Sequence, residues 1–244
     1  LNDNEILKKA IDINLNSTYY FSKRDDEINE KILSKALEKI NENVNNFKKF
    51  PLEVKTIPQV IFAAIDKKVD ILEFIDQEIS KEVMLYAINK DIKAFKYASE
   101  SLKSDNDILD LVQNKVFKKI NKSLSNIKNL PDEIKSYKNI IFNIIMKYDN
   151  VLKYFSEEMQ NDIFIVYTSV NKNPNSLQYA SSNLQNNKNI VLTAVKKYGN
   201  AYKFASDELK NDKDIVLTSF KNSKNFFHYY SEENKILIRN NLLN

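Results

Sequence analysis

Glycine is almost absent from this chain, because Gly199 is the only glycine among 244 residues. Average proteins contain roughly 7% glycine, and tight β-turns depend on it. A single glycine excludes the glycine-rich loops that bind phosphates and dinucleotides. Prolines are also few, at Pro51, Pro58, Pro131 and Pro174. Few turn residues beside abundant Lys, Leu, Ile, Glu and Asn predict an all-α chain.

Cysteine is missing altogether, and histidine occurs once, at His228. Disulfides and thiolate chemistry are therefore excluded. One histidine also excludes the paired-histidine zinc helix, and a Ser-His-Asp group would have to use His228. Because metal sites need three or four ligands, we expect no metal site. The missing motifs predict no cofactor and no enzymatic activity.

Long apolar runs and a strong net charge are lacking as well. The longest nearly apolar run, 140–146, is much shorter than the roughly 20 residues of a membrane helix, so no membrane span is expected. Lysine and arginine outnumber acids by 37 to 33, and the resulting charge of +4 does not by itself indicate nucleic acid. No secretory signal is visible, and the sequence begins at Leu1 rather than Met. Cytoplasmic location is the default expectation, with secretion or surface display left open.

What the chain does contain is a repeat with a period of 25 residues. Four independent series share this step: Asn150, Asn175, Asn200 and Asn225; Tyr154, Tyr179, Phe204 and Tyr229; Ser156, Ser181, Ser206 and Ser231; and Ile165, Ile190 and Ile215. Segments 129–149 and 49–68 are further copies, with Pro131 and Pro51 at the serine position. Segment 73–88 is a shortened copy, 18–37 is a divergent one, and 6–11 resembles the end of another.

The copies predict a single array over residues 1–244. Residues 1–94 form divergent repeats, and residues 95–149 contain the only sizeable insertion, near 115–124. Residues 150–244 form regular repeats. In each repeat we expect a short, broken helix followed by a longer one. Asn200 and Asp212 are predicted N-caps, Ser206 opens a new turn, and Pro51, Pro58 and Pro131 mark first helical positions.

Neither helix of such a repeat can bury its apolar face alone, so neighbours must share a core. The fold class is therefore an all-α α-solenoid of about nine to ten tandem two-helix repeats. We expect its radius of gyration to exceed the value of about 18 Å for a compact globule of this length.

Segment 177–200, LQYASSNLQNNKNIVLTAVKKYGN, resembles a short helical repeat found in many bacterial proteins, the domain of unknown function numbered forty-one sixteen. The resemblance is close over 150–231 and weaker over 95–149. It implies tandem helical repeats with an interaction role, and it supplies no catalytic residue.

Four features are candidate sites. His228 occupies an outward position equivalent to Lys153, Gln178 and Lys203, and these four residues are the preferred candidates for contact with a partner. Paired acids such as Asp207 and Glu208 recur at one helix-start position, which helix-dipole complementarity explains better than a two-carboxylate active site. The aromatic series Tyr97, Tyr154, Tyr179, Phe204 and Tyr229 is interpreted as inward-facing core, with a base-stacking platform as the alternative.

The fourth candidate is the basic segment 115–129, where Lys115, Lys118, Lys119 and Lys122 could form a binding face, because insertions in repeat proteins often map to one face. A longer helix decorated with lysines is the alternative interpretation.

The leading functional hypothesis is a non-enzymatic scaffold that binds another protein along an extended surface. A nucleic-acid-binding helical array and a structural spacer within a larger surface or effector protein are the alternatives. Nucleic acid would require the lysines to gather on one face and binding to depend strongly on salt.

Overall fold

The computed structural model describes residues 26–242 together with Glu5, Ala10, Ile11, Asn14 and Leu15. Most of the predicted copy at 6–11 and the first part of the divergent copy at 18–37 lie outside the described residues. The chain divides into two compact units, Leu1–Lys115 and Val116–Asn244, and each is described by itself.

Every regular element within the described residues is a helix, which confirms the all-α prediction. The α-helices are α1 (Asp26–Glu42), α2 (Leu52–Lys55), α3 (Pro58–Lys67), α4 (Lys81–Lys90), α5 (Glu100–Lys103), α6 (Asn106–Ile120), α7 (Asp132–Ser136), α8 (Lys138–Lys147), α9 (Glu157–Gln160), α10 (Ile163–Lys172), α11 (Ser182–Gln185), α12 (Lys188–Lys197), α13 (Lys213–Asn222) and α14 (Glu232–Leu242). Over the described residues, no helix is both long enough and apolar enough to span a membrane.

Short 3-10 helices alternate with these α-helices. They are Val44–Lys49, Val69–Phe74, Ile92–Tyr97, Leu124–Asn129, Leu152–Tyr154, Pro174–Tyr179, Gly199–Phe204, Leu209–Asn211 and Lys224–Tyr229. A regular repeat consists of a 3-10 helix, a short α-helix and a ten-residue α-helix, as in Pro174–Tyr179, α11 and α12. The predicted short, broken helix is thus a 3-10 helix followed by one turn of α-helix.

Most of the predicted caps are present. The side chain of Ser206 accepts a hydrogen bond from Leu209 N at 3.2 Å. Asp212 accepts from Asp214 N at 2.9 Å and Ile215 N at 3.1 Å, so it caps α13. Pro58 stands at the first position of α3, as expected. These polar groups satisfy backbone N–H groups that a helix start leaves without intrahelical partners.

Two details of the predicted helix starts are wrong. Pro51 and Pro131 are N-caps rather than first helical residues, because α2 and α7 begin one residue later. Asn200 is no cap, because Gly199–Phe204 begins before it and has Tyr198 at its N-cap. The Asn200 amide instead donates to Tyr198 Oη at 3.1 Å. In the preceding repeat the capping residue is Asn173, which accepts from Asn175 N.

The ten-residue helices bury one common pattern of side chains. In α12 the buried residues are Ile190, Val191, Ala194 and Val195, and α8 buries Ile140, Ile141, Ile144 and Ile145. Spacings of one, three and four residues place such a set on one side of a helix. In the second unit α8, α10, α12 and α13 pack in succession, and the 3-10 helices from Leu124–Asn129 to Lys224–Tyr229 form a parallel succession beside them.

The helix that contains the predicted insertion has a counterpart earlier in the chain. Helix α6 has 15 residues and α1 has 17, against ten in the regular repeats. Each is followed by a six-residue 3-10 helix and then by a proline-capped short helix. Asn46 and Asn126, 80 positions apart, donate to Lys39 O and Lys119 O respectively. The insertion is therefore one of two similar long helices, and the prediction of a single one is wrong.

Gly199 lies where two backbones approach closely. A Cβ atom at this position would meet Ser219 O at 2.2 Å and Ser223 Cβ at 2.8 Å. The equivalent position of the preceding repeat is Pro174. The single glycine is therefore required by the packing of α13 against Gly199–Phe204.

Candidate functional site

Four exposed side chains follow the succession of 3-10 helices in the second unit. They are Lys153, Gln178, Lys203 and His228, and all four are exposed, as their equivalent positions predicted. We call these four residues the variable ridge, because their chemistry differs from repeat to repeat while the helices beneath them are alike. Their part in binding stays a prediction.

The aromatic series beside the ridge does not face inward as predicted. Tyr97, Tyr154, Tyr179 and Phe204 are half-buried, and Tyr229 is 58% exposed. The deeply buried positions are two residues earlier, as at Leu177, and one residue later, as at Ala180. A 25-residue period shows which residues are equivalent but leaves open which way they point.

Lysines of the ridge lie over the neighbouring aromatic rings. Lys153 Nζ is 5.0 Å from the ring centroid of Tyr154, and Lys203 Nζ is 4.8 Å from that of Phe204. Such cation–π contacts are worth about 0.5–1 kcal/mol at exposed sites. They leave both the ammonium groups and part of the rings open to a partner.

The four lysines of the basic segment do not share one role. Lys115 is half-buried, and its Nζ donates to Asn89 O at 2.8 Å, at the carboxyl end of α4. Lys172 does the same for α8, with Ile145 O and Met146 O both at 2.7 Å. Lys115 is thus a helix-end donor of the repeat, whereas Lys118, Lys119 and Lys122 are exposed.

Two neighbouring boundaries between short helices of the second unit, at Ser181 and at Ser206, are joined by a paired contact, which we call the Ser–Asn clasp. Ser181 N donates to Gln160 O at 2.9 Å, and Ser181 Oγ donates to Asn161 Oδ1 at 2.6 Å. One repeat later Ser206 N donates to Gln185 O at 3.0 Å, and Ser206 Oγ donates to Asn186 Oδ1 at 2.5 Å. The clasp holds neighbouring repeats edge to edge.

The clasp is open at the next boundary, although the serine and the asparagine are both present. Lys210 O, equivalent to Gln185 O, accepts from Tyr202 Oη at 2.8 Å and from Asn234 Nδ2 at 2.8 Å. Asn211 Nδ2 donates to Asp207 O at 3.1 Å. Ser231 makes neither clasp bond to the described residues. Two side chains thus occupy the carbonyl that the serine N–H would otherwise reach.

A groove of about 530 Å³ opens at this boundary. It is lined by Tyr202, Lys203, Asp207, Lys210, Asn211, Tyr229, Tyr230, Ser231 and Asn234. Binding pockets in proteins commonly measure about 300–1,000 Å³ and combine apolar walls with a few convergent polar groups. This groove, which we call the open-clasp groove, lies at one end of the variable ridge and includes its residue Lys203.

The floor of the groove is polar where other repeats are apolar. Asn234 is only 4% exposed, and its equivalents are Met159, Leu184 and Leu209. Its amide also donates to Tyr202 Oη at 3.3 Å. Burial raises the pKa of the Tyr202 phenol to about 12, although the hydrogen bond from Asn234 acts to lower it. A buried amide in place of leucine costs stability unless it is fully hydrogen-bonded.

A second tyrosine completes the floor. The rings of Tyr202 and Tyr230 are 4.7 Å apart, and Tyr230 Oη lies 2.5 Å from Ser219 Oγ. Ser219 Oγ in turn donates to Gly199 O at 2.9 Å. Burial raises the pKa of Tyr230 as well. The hydroxyls are therefore neutral hydrogen-bonding groups at ordinary pH.

Sequence analysis missed Asn234, Tyr202 and Tyr230. A signal was available, because each differs from its equivalent in the preceding repeat: Leu177 is equivalent to Tyr202, Ala205 to Tyr230, and Leu209 to Asn234. Within the described residues, no group of His, Cys, Asp or Glu could hold a metal ion.

A protein-family model described as a domain of unknown function (DUF4116) matches the chain in four segments, 80–111, 137–185, 162–209 and 187–235. The last three segments overlap in steps of about one repeat, and the four together cover more than half of the chain. No curated protein and no solved structure matches the chain.

Proposed function

The chain belongs to the DUF4116 repeat family, and we propose that it is a non-enzymatic scaffold that binds another protein along the variable ridge. One observation supports this proposal above others: the four ridge side chains are exposed on stacked, nearly identical supports, yet they differ in chemistry. A surface that only stayed solvated would need no half-exposed aromatic ring beside each position. Repeat proteins commonly bind through such extended surfaces.

The charge arrangement favours a protein partner over nucleic acid. Many lysines are held by carboxylates within the array, as Lys188 is by Asp212 and Asp214 at 2.8 and 2.7 Å. The ridge itself carries two lysines among four side chains. Phosphate backbones are bound mainly by clusters of free cations, whereas protein interfaces favour aromatic side chains with a polar rim. The ridge matches the second description.

The experiment is affinity capture from an extract of the native host, treated with nuclease, followed by mass spectrometry. The bait is compared with a ridge variant that combines Lys153→Ala, Gln178→Ala, Lys203→Ala and His228→Ala. A matched control combines Asn171→Ala, Lys196→Ala, Lys213→Ala and Lys221→Ala, four exposed positions on the ten-residue helices.

We expect specific proteins that the wild type and the control retain and the ridge variant loses. Equal capture by all three baits would refute the ridge as the contact surface. Capture of nothing above background would support the spacer alternative. A parallel capture omits the nuclease. Nucleic acid that is recovered there, and released as the salt concentration is raised, would support the alternative of a helical array that binds nucleic acid.

A further inference from the structure

We propose that the open-clasp groove binds an extended, acidic peptide segment, whose backbone pairs with the groups that the open clasp leaves free. This inference rests on the proposed function and specifies the partner's chemistry at one end of the ridge. It begins with the groups that line the groove.

Several polar atoms of the groove have no partner among the described residues. The backbone N–H of Ser231, like that of Ser156, makes no hydrogen bond there, whereas those of Ser181 and Ser206 donate across the clasp. The Ser231 hydroxyl accepts from Asn234 N at 3.3 Å but does not donate to Asn211. Asn211 and Asn234 use their Nδ2 atoms as donors, and their Oδ1 atoms accept from no described residue.

The groove thus offers both donors and acceptors to a ligand. An extended peptide presents N–H and C=O groups that are unsatisfied until they pair. A helical segment satisfies its own backbone groups and gains little from these atoms. The half-exposed ring of Tyr229 supplies an apolar contact for one side chain of the segment.

The rim selects for acidic side chains. Lys203 Nζ faces the ring of Phe204 and is paired with no carboxylate among the described residues. Lys210 Nζ lies 3.1 Å from Asp207 Oδ1, but that aspartate side chain is 99% exposed. An exposed pair of this kind contributes little, so a ligand carboxylate can share Lys210. Two lysines against one aspartate give the rim a net positive charge.

The same geometry identifies a single substitution that should close the groove. Asn234→Leu restores the residue type of Leu184 and Leu209, and it removes one of the two donors on Lys210 O. That carbonyl can then accept from Ser231 N, as Gln160 O and Gln185 O accept from the equivalent serines. The variant is expected to be at least as stable as the wild type, so a loss of binding would not be caused by unfolding.

The experiment selects phage-displayed random dodecapeptides on the wild-type chain, and the enriched peptides are then synthesised with a fluorescent label. Binding is measured by anisotropy on the wild type, Asn234→Leu, Lys203→Glu and the control Lys153→Glu, a ridge lysine outside the groove. We expect enriched peptides rich in Asp and Glu. Their affinity should fall about tenfold or more for Asn234→Leu and Lys203→Glu, and it should change little for Lys153→Glu.

The proposal is overturned if no peptide is enriched, if the enriched peptides are neutral or basic, or if Asn234→Leu binds them like the wild type with an unchanged melting temperature. Its failure is distinguishable from failure of the proposed function. Host proteins that the ridge variant loses but Asn234→Leu retains would leave the ridge intact and exclude the groove. If peptides bind the groove but the ridge variant captures the same host proteins as the wild type, the ridge is excluded as the contact surface and the groove proposal stands.

Discussion

Lys188 Nζ lies 2.8 Å from Asp212 Oδ2, so the first residue of α12 is bound to the cap of α13. Lys81 is bound to Asp105 at 2.8 Å in the same way, and Lys138 is bound to Asp162 at 2.5 Å. In each case one carboxylate both caps a helix and binds the first residue of the preceding ten-residue helix. The structural role of these aspartates can be separated into its two parts by substitution.

Replacing Asp212 with Asn should keep the cap and remove the charge, since Asn187 caps α12 through the same two bonds. The hydrogen bond from Lys188 lowers the pKa of Asp212, helped by Ile215 N and opposed by burial. A lowered pKa contributes stability that is present above the ordinary value of about 3.9 and is lost as the pH falls through the lowered pKa. Asp212→Asn should therefore lose less of its melting temperature between pH 7 and pH 3 than the wild type.

The matched variant is Asp212→Ala, which loses the cap as well and should be about 1 kcal/mol less stable at pH 7. Thermal unfolding followed by circular dichroism measures both effects. Equal acid sensitivity of the wild type and Asp212→Asn would contradict the ion-pair contribution.

Adding one methyl group at Gly199 should be among the most destabilising small changes in the chain. Its Cβ would lie 2.2 Å from Ser219 O, and backbone atoms must shift to accommodate it. Overpacking of this kind costs about 1–3 kcal/mol, which urea unfolding of Gly199→Ala would measure. Asn200→Ala is the control, because Asn200 does not cap Gly199–Phe204, and we expect a change within about 0.5 kcal/mol. A larger loss for Asn200→Ala would mean that this asparagine has a structural role after all.

Removing the hydroxyl of Tyr202 should destabilise the floor of the open-clasp groove. Tyr202→Phe loses the bonds to Lys210 O and Asn234, at a cost of about 1–2 kcal/mol. In an Asn234→Leu background the cost should be smaller, because no amide donor is left unpaired. A double-mutant cycle measures this coupling. Additive effects would show that the two groups act independently.

The raised pKa of Tyr202 predicts a loss of stability at alkaline pH. Its pKa of about 12 is raised above the ordinary value of about 10, chiefly by burial. Its contribution is fully present below about pH 10 and is lost as the pH rises from about 10 towards 12. The wild type should lose more stability than Tyr202→Phe across this interval in chemical denaturation. A parallel decline of both proteins would contradict the burial of a neutral phenol.

Lys115 and Lys118, neighbours in the basic segment, should respond differently to substitution. Lys115→Met removes the donor that binds Asn89 O at the end of α4 and should cost about 1 kcal/mol. Lys118→Met changes an exposed residue and should leave the melting temperature almost unchanged. Equal stability of both variants would show that Lys115 has no structural role and is available to a partner like the exposed lysines.

The repeat, the helical class and most caps were predictable from the sequence, because they depend on local chemistry. Ser206 and Asp212 show this: a serine or aspartate before an apolar run caps a helix wherever it occurs. The direction of Tyr179 was not predictable, since a period equates positions without fixing the angle at which each faces its neighbours. Asn200 failed as a cap because Tyr198 and Gly199 start the 3-10 helix earlier.

The open-clasp groove could not be predicted from the 25-residue period alone. Ser231 and Asn211 keep the residue types of a closed clasp, and only the packing of Asn234 and Tyr202 against Lys210 O separates them. The residue types at Ser231 and Asn211 therefore do not reveal that this boundary lacks the clasp.

The lysine–aspartate contacts also bear on how near-identical repeats avoid pairing with the wrong neighbour while the chain folds. Charged and uncharged pairs of positions alternate along the second unit. Lys138 binds the cap Asp162, and Lys188 binds the cap Asp212. Between them, the equivalent positions hold Ile163 and the uncharged cap Asn187. If one repeat were skipped, Lys138 would face an uncharged asparagine and Ile163 would face an aspartate. The first mismatch forfeits the ion pair of Lys138, and the second leaves Asp212 without a lysine. The alternation thus favours pairing of each repeat with its correct neighbour, although the cores of the repeats are interchangeable.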